Sequence, residues 1–170
     1  MPQTSVSLTH GVALDGMIAD AEPYVERSYV SEEASAEMPF GTVVKQGTAD
    51  NGCLKLTAVT DKLLGIIRRS HAFHKDVELG DTGLKPKVMI PVVVRGTMWV
   101  PCEEAMTPSS AKIYVRAIAA GAEVAGAFRD STDASDLIDV TAFVRVLTSS
   151  TGAGRIKIAF DFTMRGATPL

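Results

Sequence analysis

The chain has 170 residues, which is enough for one sizeable domain or for a domain with an extended arm. It carries 17 Lys and Arg against 20 Asp and Glu, a formal net charge of -3. No basic stripe is present, which argues against nucleic acid or an anionic membrane as a partner. Hydrophobic residues make up 46% of the chain, so we expect a packed core rather than wholesale disorder.

Cysteine content and hydropathy narrow the class of protein further. Cys53 and Cys102 are too few for a disulfide scaffold, and the N-terminus shows no secretory signal, so we expect reduced thiols in a protein made in the cytoplasm. The longest strongly apolar run is MIPVVV, at residues 89–94. Since a membrane-spanning helix needs about 20 apolar residues, the sequence predicts no transmembrane segment.

Residues 1–39 differ in texture from the rest of the chain. They contain prolines, glycines and many Ser and Thr residues, and no sustained helical or strand period. VSLTHGVAL suggests one short strand, and GMIADAEP suggests a helical turn. We therefore expect residues 1–39 to form an extended arm and residues 40–170 to form a β-rich body.

The body begins with two short strand candidates. GTVVKQG (41–47) is β-rich and is followed by Asn51-Gly52, a pair that favours a tight turn because both residues accept positive φ. KLLGIIRRS (62–70) has the composition of a buried strand. Gly65 inside it predicts a bulge or a close backbone approach.

The middle of the chain continues the same pattern. KVMIPVVVRGTMWVP (87–101) indicates two strands broken at Arg95-Gly96. AKIYVRAI alternates, with Ile113, Val115 and Ala117 on one face. Its continuation IAAGAEVAGAF is not expected to be helical, since each of its two glycines costs about 1 kcal/mol in a helix interior. DASDLIDVTAF (133–143) is the best candidate for a short helix.

The end of the chain carries the clearest pattern. TAFVRVLTSS and GRIKIAFDF alternate and are joined around residues 151–154, which predicts a β-hairpin. Short strands separated by turns at roughly 8–12 residues are typical of sandwiches and barrels. We therefore predict an all-β fold, a small β-barrel or β-sandwich (β-tulip- or jelly-roll-like), with the N-terminal arm and at most one or two short helices.

The stretch VRGTMWVPCEEAMTP (94–108) is the first place to look for catalytic chemistry. A reactive thiolate needs positive surroundings that lower its pKa, whereas Cys102 is followed by Glu103 and Glu104. We expect a strand that ends at Pro101, with both carboxylates in an exposed loop. For Trp99 on that strand, core packing is the first expectation and an interface anchor the second.

No other constellation of residues points to an enzyme. His71 and His74 share a polar loop, His10 lies far away, and the cysteines lack paired spacing, so no metal or cofactor site is predicted. TGAGR (151–155) lacks the spacing of a phosphate-binding loop. An all-β domain with a long arm and no catalytic apparatus suggests an assembly or binding protein.

Two long stretches carry a family resemblance. They are RSYVSEEASAEMPFGTVVKQGTADNG (27–52) and LLGIIRRSHAFHKDVELGDTGLKPKVMIPVVVRGTMWVPCEEAMTP (63–108). Their order of strands and turns resembles the structural cement or decoration proteins of tailed-bacteriophage capsids, and FVRVLTSSTGAGRIKIAFDF is similar to that family's closing hairpin. The resemblance covers roughly residues 10–165 and lies in strands and turns, not in a catalytic signature.

The resemblance implies a virion protein without a cofactor that binds the outer surface of the expanded shell and cements adjacent major capsid protein subunits. It implies synthesis in the cytoplasm of the host bacterium and a symmetric oligomer, with a homotrimer favoured and a homodimer possible. The residues that we expect to contact the capsid are Ser5, Val6, Ser7, Leu8, Val12 and Leu14. Those that we expect at the oligomer interface are Trp99, Pro101, Glu103 and Glu104.

Two alternatives stay open from the sequence. A tail or neck component of the virion would also be β-rich and oligomeric. A small β-barrel enzyme, such as a cupin-like metal enzyme, is less favoured because it would cluster histidines on strands, and this chain has only three histidines.

Overall fold

The computed structural model describes residues 13–70, 83–132 and 135–163. These ranges contain strands and no helix, which confirms the all-β prediction. The strands are β1 Val25–Ser31, β2 Met38–Pro39, β3 Val43–Gln46, β4 Gly52–Lys55, β5 Leu63–Ile67, β6 Gly83–Leu84, β7 Met89–Cys102, β8 Tyr114–Arg116, β9 Phe128–Arg129, β10 Leu137–Asp139, β11 Val144–Val146 and β12 Gly154–Asp161. The helix predicted within residues 133–143 is wrong, since that range contains β10 and a turn.

Five strands close into a small barrel. Its order is β1, β4, β3, β5 and β7, and β7 pairs back with β1. The β1–β4 pair is parallel and the other four pairs are antiparallel. Closure leaves the barrel strands without an open edge over their paired length. One buried apolar cluster belongs to this part of the fold and consists of Tyr29, Met38, Phe40, Val44, Cys53, Leu64, Ile67, Leu84, Ile90 and Val92.

Part of the predicted arm belongs to the barrel. Residues 25–39 lie inside the range 1–39 that the sequence assigns to the arm, yet they contribute β1 and the buried side chains of Tyr29 and Met38. β1 has the sequence VERSYVS, in which only Tyr29 and Ser31 are buried, so its hydrophobic alternation is weak. The division into arm and body stays a prediction for residues 1–24.

β7 is one strand of 14 residues, not the two strands predicted. Its neighbours change at Gly96, however: residues 89–95 pair with β1, and residues 95–102 pair with β12. Gly96 has a φ of 153°, and a Cβ there would lie 2.8 Å from the Cβ of Tyr24. Glycine therefore lets β7 bend from the barrel into a second sheet without ending the strand.

That second sheet, which we call the outer sheet, consists of residues 95–102 of β7 together with β8, β9, β10, β11 and β12. β11 and β12 form the predicted C-terminal hairpin, with Val144 opposite Phe160. β9 runs parallel to the end of β7 and carries β8 and then β10. A second apolar cluster fills this part and includes Met98, Val115, Phe128, Ile138 and Ile156.

The two glycine signals in the early barrel strands have different outcomes. Residues 49–52 form the predicted turn, with the Gly52 N–H 2.9 Å from the Ala49 carbonyl. Neither Asn51 nor Gly52 has the positive φ on which that prediction was based. At Gly65 the close approach is confirmed, because a Cβ there would lie 2.5 Å from the Val93 carbonyl oxygen.

Candidate interaction surfaces

The described thiols are not suited to catalysis. Cys53 and Cys102 are both free and buried. Burial, followed by the charges of Glu32 and Glu33, raises the pKa of Cys53 to about 12. Burial also raises the pKa of Cys102. Both thiols are therefore protonated at neutral pH, which is the opposite of what a nucleophile needs.

Neither a metal cluster nor a spanning helix occurs in the part of the chain that the structure describes. Within residues 13–70, 83–132 and 135–163, no group of three or more His, Cys, Asp or Glu side chains is placed to hold a metal ion. The same ranges hold no helix of the length and hydropathy that crossing a membrane requires. His10, His71 and His74 lie outside the described residues.

Residues 14–20, which we call the arm root, run along one edge of β7. The Gly16 N–H donates to the Trp99 carbonyl at 2.8 Å, and the Trp99 N–H donates to the Met17 carbonyl at 2.9 Å. This is antiparallel strand pairing, so the helical turn predicted for GMIADAEP (16–23) is wrong. Main-chain pairing with β7 outweighs the helical preference of a short Ala- and Met-containing segment, because a single helical turn is marginal by itself.

Side chains also hold the arm root to the body. Asp15 pairs with Arg155 at 2.8 Å, and Asp20 pairs with Lys157 at 3.0 Å. Both cations lie on β12, two residues apart, and so on the same face of that strand. The Gly16 carbonyl accepts the backbone N–H beyond β5 at Arg69, at 2.7 Å. The arm root is therefore held by β7, by β12 and by the segment that follows β5. Together these contacts fix the point at which the chain enters the body.

The predicted capsid-contact residues divide into two groups. Ser5, Val6, Ser7, Leu8 and Val12 lie outside the described residues. Leu14 is described and lies at the start of the arm root, where its side chain is 40% exposed. Met17, three residues further on, is exposed to the same extent.

Trp99 and Pro101 lie on the outward face of β7. They alternate with the buried residues Met98, Val100 and Cys102, and both are partly exposed. Trp99 is not among the buried core residues, so core packing, the first expectation for it, is wrong. Its position beside the arm root leaves the second expectation, an interface anchor, as a prediction.

Glu103 is not the exposed loop residue that the sequence predicts. Its carboxylate accepts two hydrogen bonds from Arg116, at 2.6 and 2.8 Å, and one from Arg129 at 3.2 Å. The three side chains are only 7%, 4% and 5% exposed respectively. Two buried guanidinium groups thus share one buried carboxylate, and this pairing is what makes burial of their charge tolerable.

Glu104 is also engaged within the chain, so the expectation of exposure is wrong for it too. Its carboxylate accepts hydrogen bonds from the backbone N–H groups of Asp130 and Ser131, at 3.0 and 2.9 Å, and from the Ser131 hydroxyl. Burial alone would raise the pKa of Glu104, but these bonds and the charge of Arg129 outweigh it and hold the pKa below its ordinary value. The turn after β7 is therefore tied to the strand end at β9.

A hairpin tip, residues 118–124, projects from the outer sheet. We call it the finger. All seven of its residues (IAAGAEV) are exposed, although six of them are apolar or glycine. Ala120 and Glu123 exchange backbone hydrogen bonds at 3.0 and 3.3 Å, which closes the tip. The one charged residue, Glu123, pairs with the buried guanidinium of Arg116.

A groove of about 570 Å³ opens where β7 bends from the barrel to the outer sheet. Its lining consists of Glu22, Pro23, Tyr24, Val25, Arg95, Gly96, Thr97, Ala159 and Phe160. Tyr24 and Val25 are among its exposed apolar residues. Thr97 lies two and four residues before Trp99 and Pro101, so these three residues share one face of β7.

Comparison with known proteins decides which kind of protein carries these surfaces. Residues 1–161 match the family model described as "Structural cement protein (E217 gp24/Pam3 gp6)". The chain belongs to this structural cement protein family. The resemblance found in the sequence is therefore confirmed, and the role of the chain is structural stabilisation of a phage capsid.

A solved chain described as "The capsid of Myoviridae Phage XM1" has a similar fold. The TM-score is 0.65, and the alignment covers 94% of this chain and 98% of that chain. The identity is 18%, so this likeness concerns the fold. No curated protein sequence matches the chain significantly.

Sequence reasoning missed two features of this cement protein. It did not find the buried pairing of Glu103 with Arg116 and Arg129, because the partners lie 13 and 26 residues away. It treated the finger only as a broken helix candidate. A signal for the finger was present, since IAAGAEV is an apolar, glycine-containing run that follows the strand signal of AKIYVRAI, whereas turns of this chain are otherwise rich in Ser, Thr, Asp and Asn.

Proposed function

We propose that this cement protein binds the outer surface of the expanded capsid shell and holds adjacent major capsid protein subunits together. The observation that carries the proposal is the family match over residues 1–161. Expansion of a shell creates sites that span several subunits. A protein bound there resists separation of those subunits under the pressure of packaged DNA.

The arm is the proposed capsid-binding element. Its contacts would be made by Ser5, Val6, Ser7, Leu8, Val12 and Leu14. The arm root supports this role, because its main-chain bonds to β7 and its two ion pairs fix where the arm leaves the body. An arm anchored in this way adds a strand to a capsid β-element by main-chain hydrogen bonds, at a lower ordering cost than a chain free at both ends.

The body acts as a symmetric oligomer, with a homotrimer favoured over a homodimer. Several arms on one oligomer then bind several capsid subunits, and multivalency makes the whole complex far more stable than one arm contact. Trp99 and Pro101 are proposed to contact a neighbouring copy directly. Glu103 and Glu104 would contribute to that interface by holding the turn in shape, since their carboxylates bond within the chain.

The test is binding of the purified chain to empty, expanded shells of its own phage, followed by sedimentation and copy counting. Saturable binding at one copy per capsid protein is expected for trimers at three-fold and quasi-three-fold positions. A folded chain that does not bind expanded shells would contradict the proposal and favour the tail or neck alternative. A few copies per virion, instead of hundreds, would do the same.

The role of the arm is tested by deleting residues 1–12, which keeps the arm root on β7. We expect the body to fold and shell binding to be lost. Deleting residues 164–170 at the opposite end is the matched control, and that variant should bind like the full chain. Native affinity of the chain lacking residues 1–12 would show that the capsid contact lies elsewhere.

A further inference from the structure

The finger is shaped as an anchor and not as a loose loop. Its base bonds to the barrel, where the Val43 N–H donates to the Gly126 carbonyl at 3.0 Å. Its tip is closed by the two bonds between Ala120 and Glu123, and Glu123 pairs with buried Arg116. An apolar loop held in one conformation loses little conformational entropy when it binds, which is the property of an interface anchor.

The groove is concave and apolar, and so complements the exposed apolar finger. It is concave, and Pro23, Tyr24, Val25, Ala159 and Phe160 give it an apolar lining, with Glu22 and Arg95 as its charged residues. The Arg95 guanidinium lies 3.6 Å from the Asp161 carboxylate, and the Glu22 carboxylate lies 3.4 Å from the Thr97 hydroxyl. Both charged side chains are largely exposed, Arg95 at 63%, so they can stay hydrated while the apolar lining meets a partner.

We propose that the finger of one copy inserts into the groove of a neighbouring copy and forms the self-interface of the cement protein. This inference deepens the proposed function, on which it rests for the existence of an oligomer. A second copy is the occupant because convex and concave apolar surfaces are carried by the same chain. Such a pair closes either as a reciprocal dimer or as a ring, such as the favoured homotrimer.

The distribution of exposed apolar side chains supports this pairing. Nine large hydrophobic residues are exposed among those that the structure describes, and four of them belong to these two features. They are Ile118 and Val124 in the finger, at 42% and 40%, and Tyr24 and Val25 in the groove, at 42% and 41%. Thr97 in the groove lies on the same face of β7 as Trp99 and Pro101, the other residues proposed to contact a neighbouring copy.

A disulfide experiment tests the juxtaposition directly. The variants Ala120→Cys, at the finger tip, and Ala159→Cys, in the groove, are purified separately in the full chain and then mixed under mild oxidation. The control mixture pairs Ala120→Cys with Val59→Cys, an exposed position outside both features. The native thiols of Cys53 and Cys102 are buried and do not compete.

Because each chain in the mixture carries one new thiol, a mixed disulfide can form only between copies. We expect at least about tenfold more mixed disulfide from the finger–groove mixture than from the control, since insertion raises the effective thiol concentration to the millimolar range. Equal yields from both mixtures would count against the proposal.

A second variant measures the contribution of the finger to assembly. Ile118→Asp places a charge on an exposed side chain, so folding should be unaffected, and Val59→Asp is the matched control. In sedimentation equilibrium without shells, the wild type and Val59→Asp are expected to be oligomers, and Ile118→Asp a monomer at the same concentration. A monomeric wild type, or an Ile118→Asp variant of unchanged mass, overturns the proposal.

Shell binding separates this proposal from the proposed function. If Ile118→Asp keeps the oligomer mass and loses shell binding, the finger contacts the capsid protein and not a second copy, and the proposal is wrong. If the oligomer and the mixed disulfide form but the wild type does not bind shells, the result supports the finger–groove interface and contradicts the proposed capsid-binding function.

Discussion

The barrel and the outer sheet are held together by different means. The barrel is a closed ring of five strands around an apolar interior, and its ion pairs keep some contact with solvent. The paired side chains of Lys45 and Asp61, for example, are 17% and 14% exposed. In the outer sheet, the paired side chains of Glu103, Arg116 and Arg129 are only 7%, 4% and 5% exposed.

This difference separates a scaffold from an interaction region. A closed barrel has no free edge to extend, whereas in the described part of the outer sheet β10 and β11 each pair with a single strand. The arm root and finger both attach to the outer sheet, and the groove lies at its junction with the barrel. The buried ionic cluster of Glu103, Arg116 and Arg129 fixes the turns of the outer sheet. Apolar packing alone would leave the conformation of these turns undefined.

The largest expected effect comes from removing the shared carboxylate of that cluster. Glu103→Ala leaves Arg116 and Arg129 buried without their common partner. Breaking a buried ion pair in this way typically costs about 3–5 kcal/mol, so we expect a loss of that order in the free energy of unfolding. Urea denaturation followed by circular dichroism measures it.

The double variant Glu103→Ala with Arg116→Leu distinguishes the cause. Removal of one guanidinium together with the carboxylate should restore part of the lost free energy of unfolding, since one fewer guanidinium stays buried without the Glu103 carboxylate. A loss below about 1 kcal/mol for Glu103→Ala alone would contradict a stabilising role for the cluster.

In the barrel, the close packing of β5 against β7 is tested by adding a methyl group at Gly65. Gly65→Ala would place a Cβ 2.5 Å from the Val93 carbonyl oxygen and 2.7 Å from a methyl group of Val92. Overpacking of this kind costs about 1–3 kcal/mol, which urea denaturation would show as a lower midpoint. Gly152→Ala is the control, because a Cβ there meets nothing within 4 Å. Equal midpoints for the two variants would show that β5 and β7 can separate to admit the methyl group.

The barrel and the closing hairpin were the more predictable parts of the chain. Strand β5 is a short apolar run, and strands β11 and β12 alternate between apolar and polar residues. Clear turn residues bound each of them, so the hydrophobic pattern alone predicted these strands. The same reasoning failed for β1, where VERSYVS offers one large apolar residue to the core. It also split β7 at Gly96, since a glycine that bends a strand and one that ends it have the same sequence signature.

The candidate site was less predictable than the fold. Glu103 and Glu104 follow a strand end and precede a Pro-containing turn, a pattern that favours exposure. The burial of Glu103 depends on Arg116 in β8 and Arg129 in β9, and on the way that β9 pairs with the end of β7. Pairings between distant charged residues leave no periodic signal, so only the fold brings them together.

A smaller effect is expected from the local carboxylate of the barrel. Burial raises the pKa of Asp61, but the Thr57 and Ala58 N–H groups and Lys45 outweigh it, and the pKa lies below its ordinary value of 3.8. Because the folded-state pKa is lowered, the stabilisation is complete above 3.8 and is lost as the pH falls through the folded-state value.

Asp61→Asn removes that titration. Its free energy of unfolding should be lower than that of the wild type at pH 7, and the difference should shrink as the pH falls below the ordinary value of 3.8. Urea midpoints of both proteins across the acid range measure the difference. A gap that stays constant over that range would mean that another carboxylate governs acid sensitivity.

The smallest effect is expected from an ion pair on the surface of the outer sheet. Lys112 lies 3.0 Å from Asp139, yet the two side chains are 57% and 37% exposed. Solvent screens this pair and both side chains lose freedom to form it, so Lys112→Ala should leave the urea midpoint unchanged within error. Since Glu103 and Lys112 lie in the same region, the contrast isolates burial as the variable. Similar losses for Lys112→Ala and Glu103→Ala would show that charge pairing itself, and not the desolvated position of the cluster, stabilises the outer sheet.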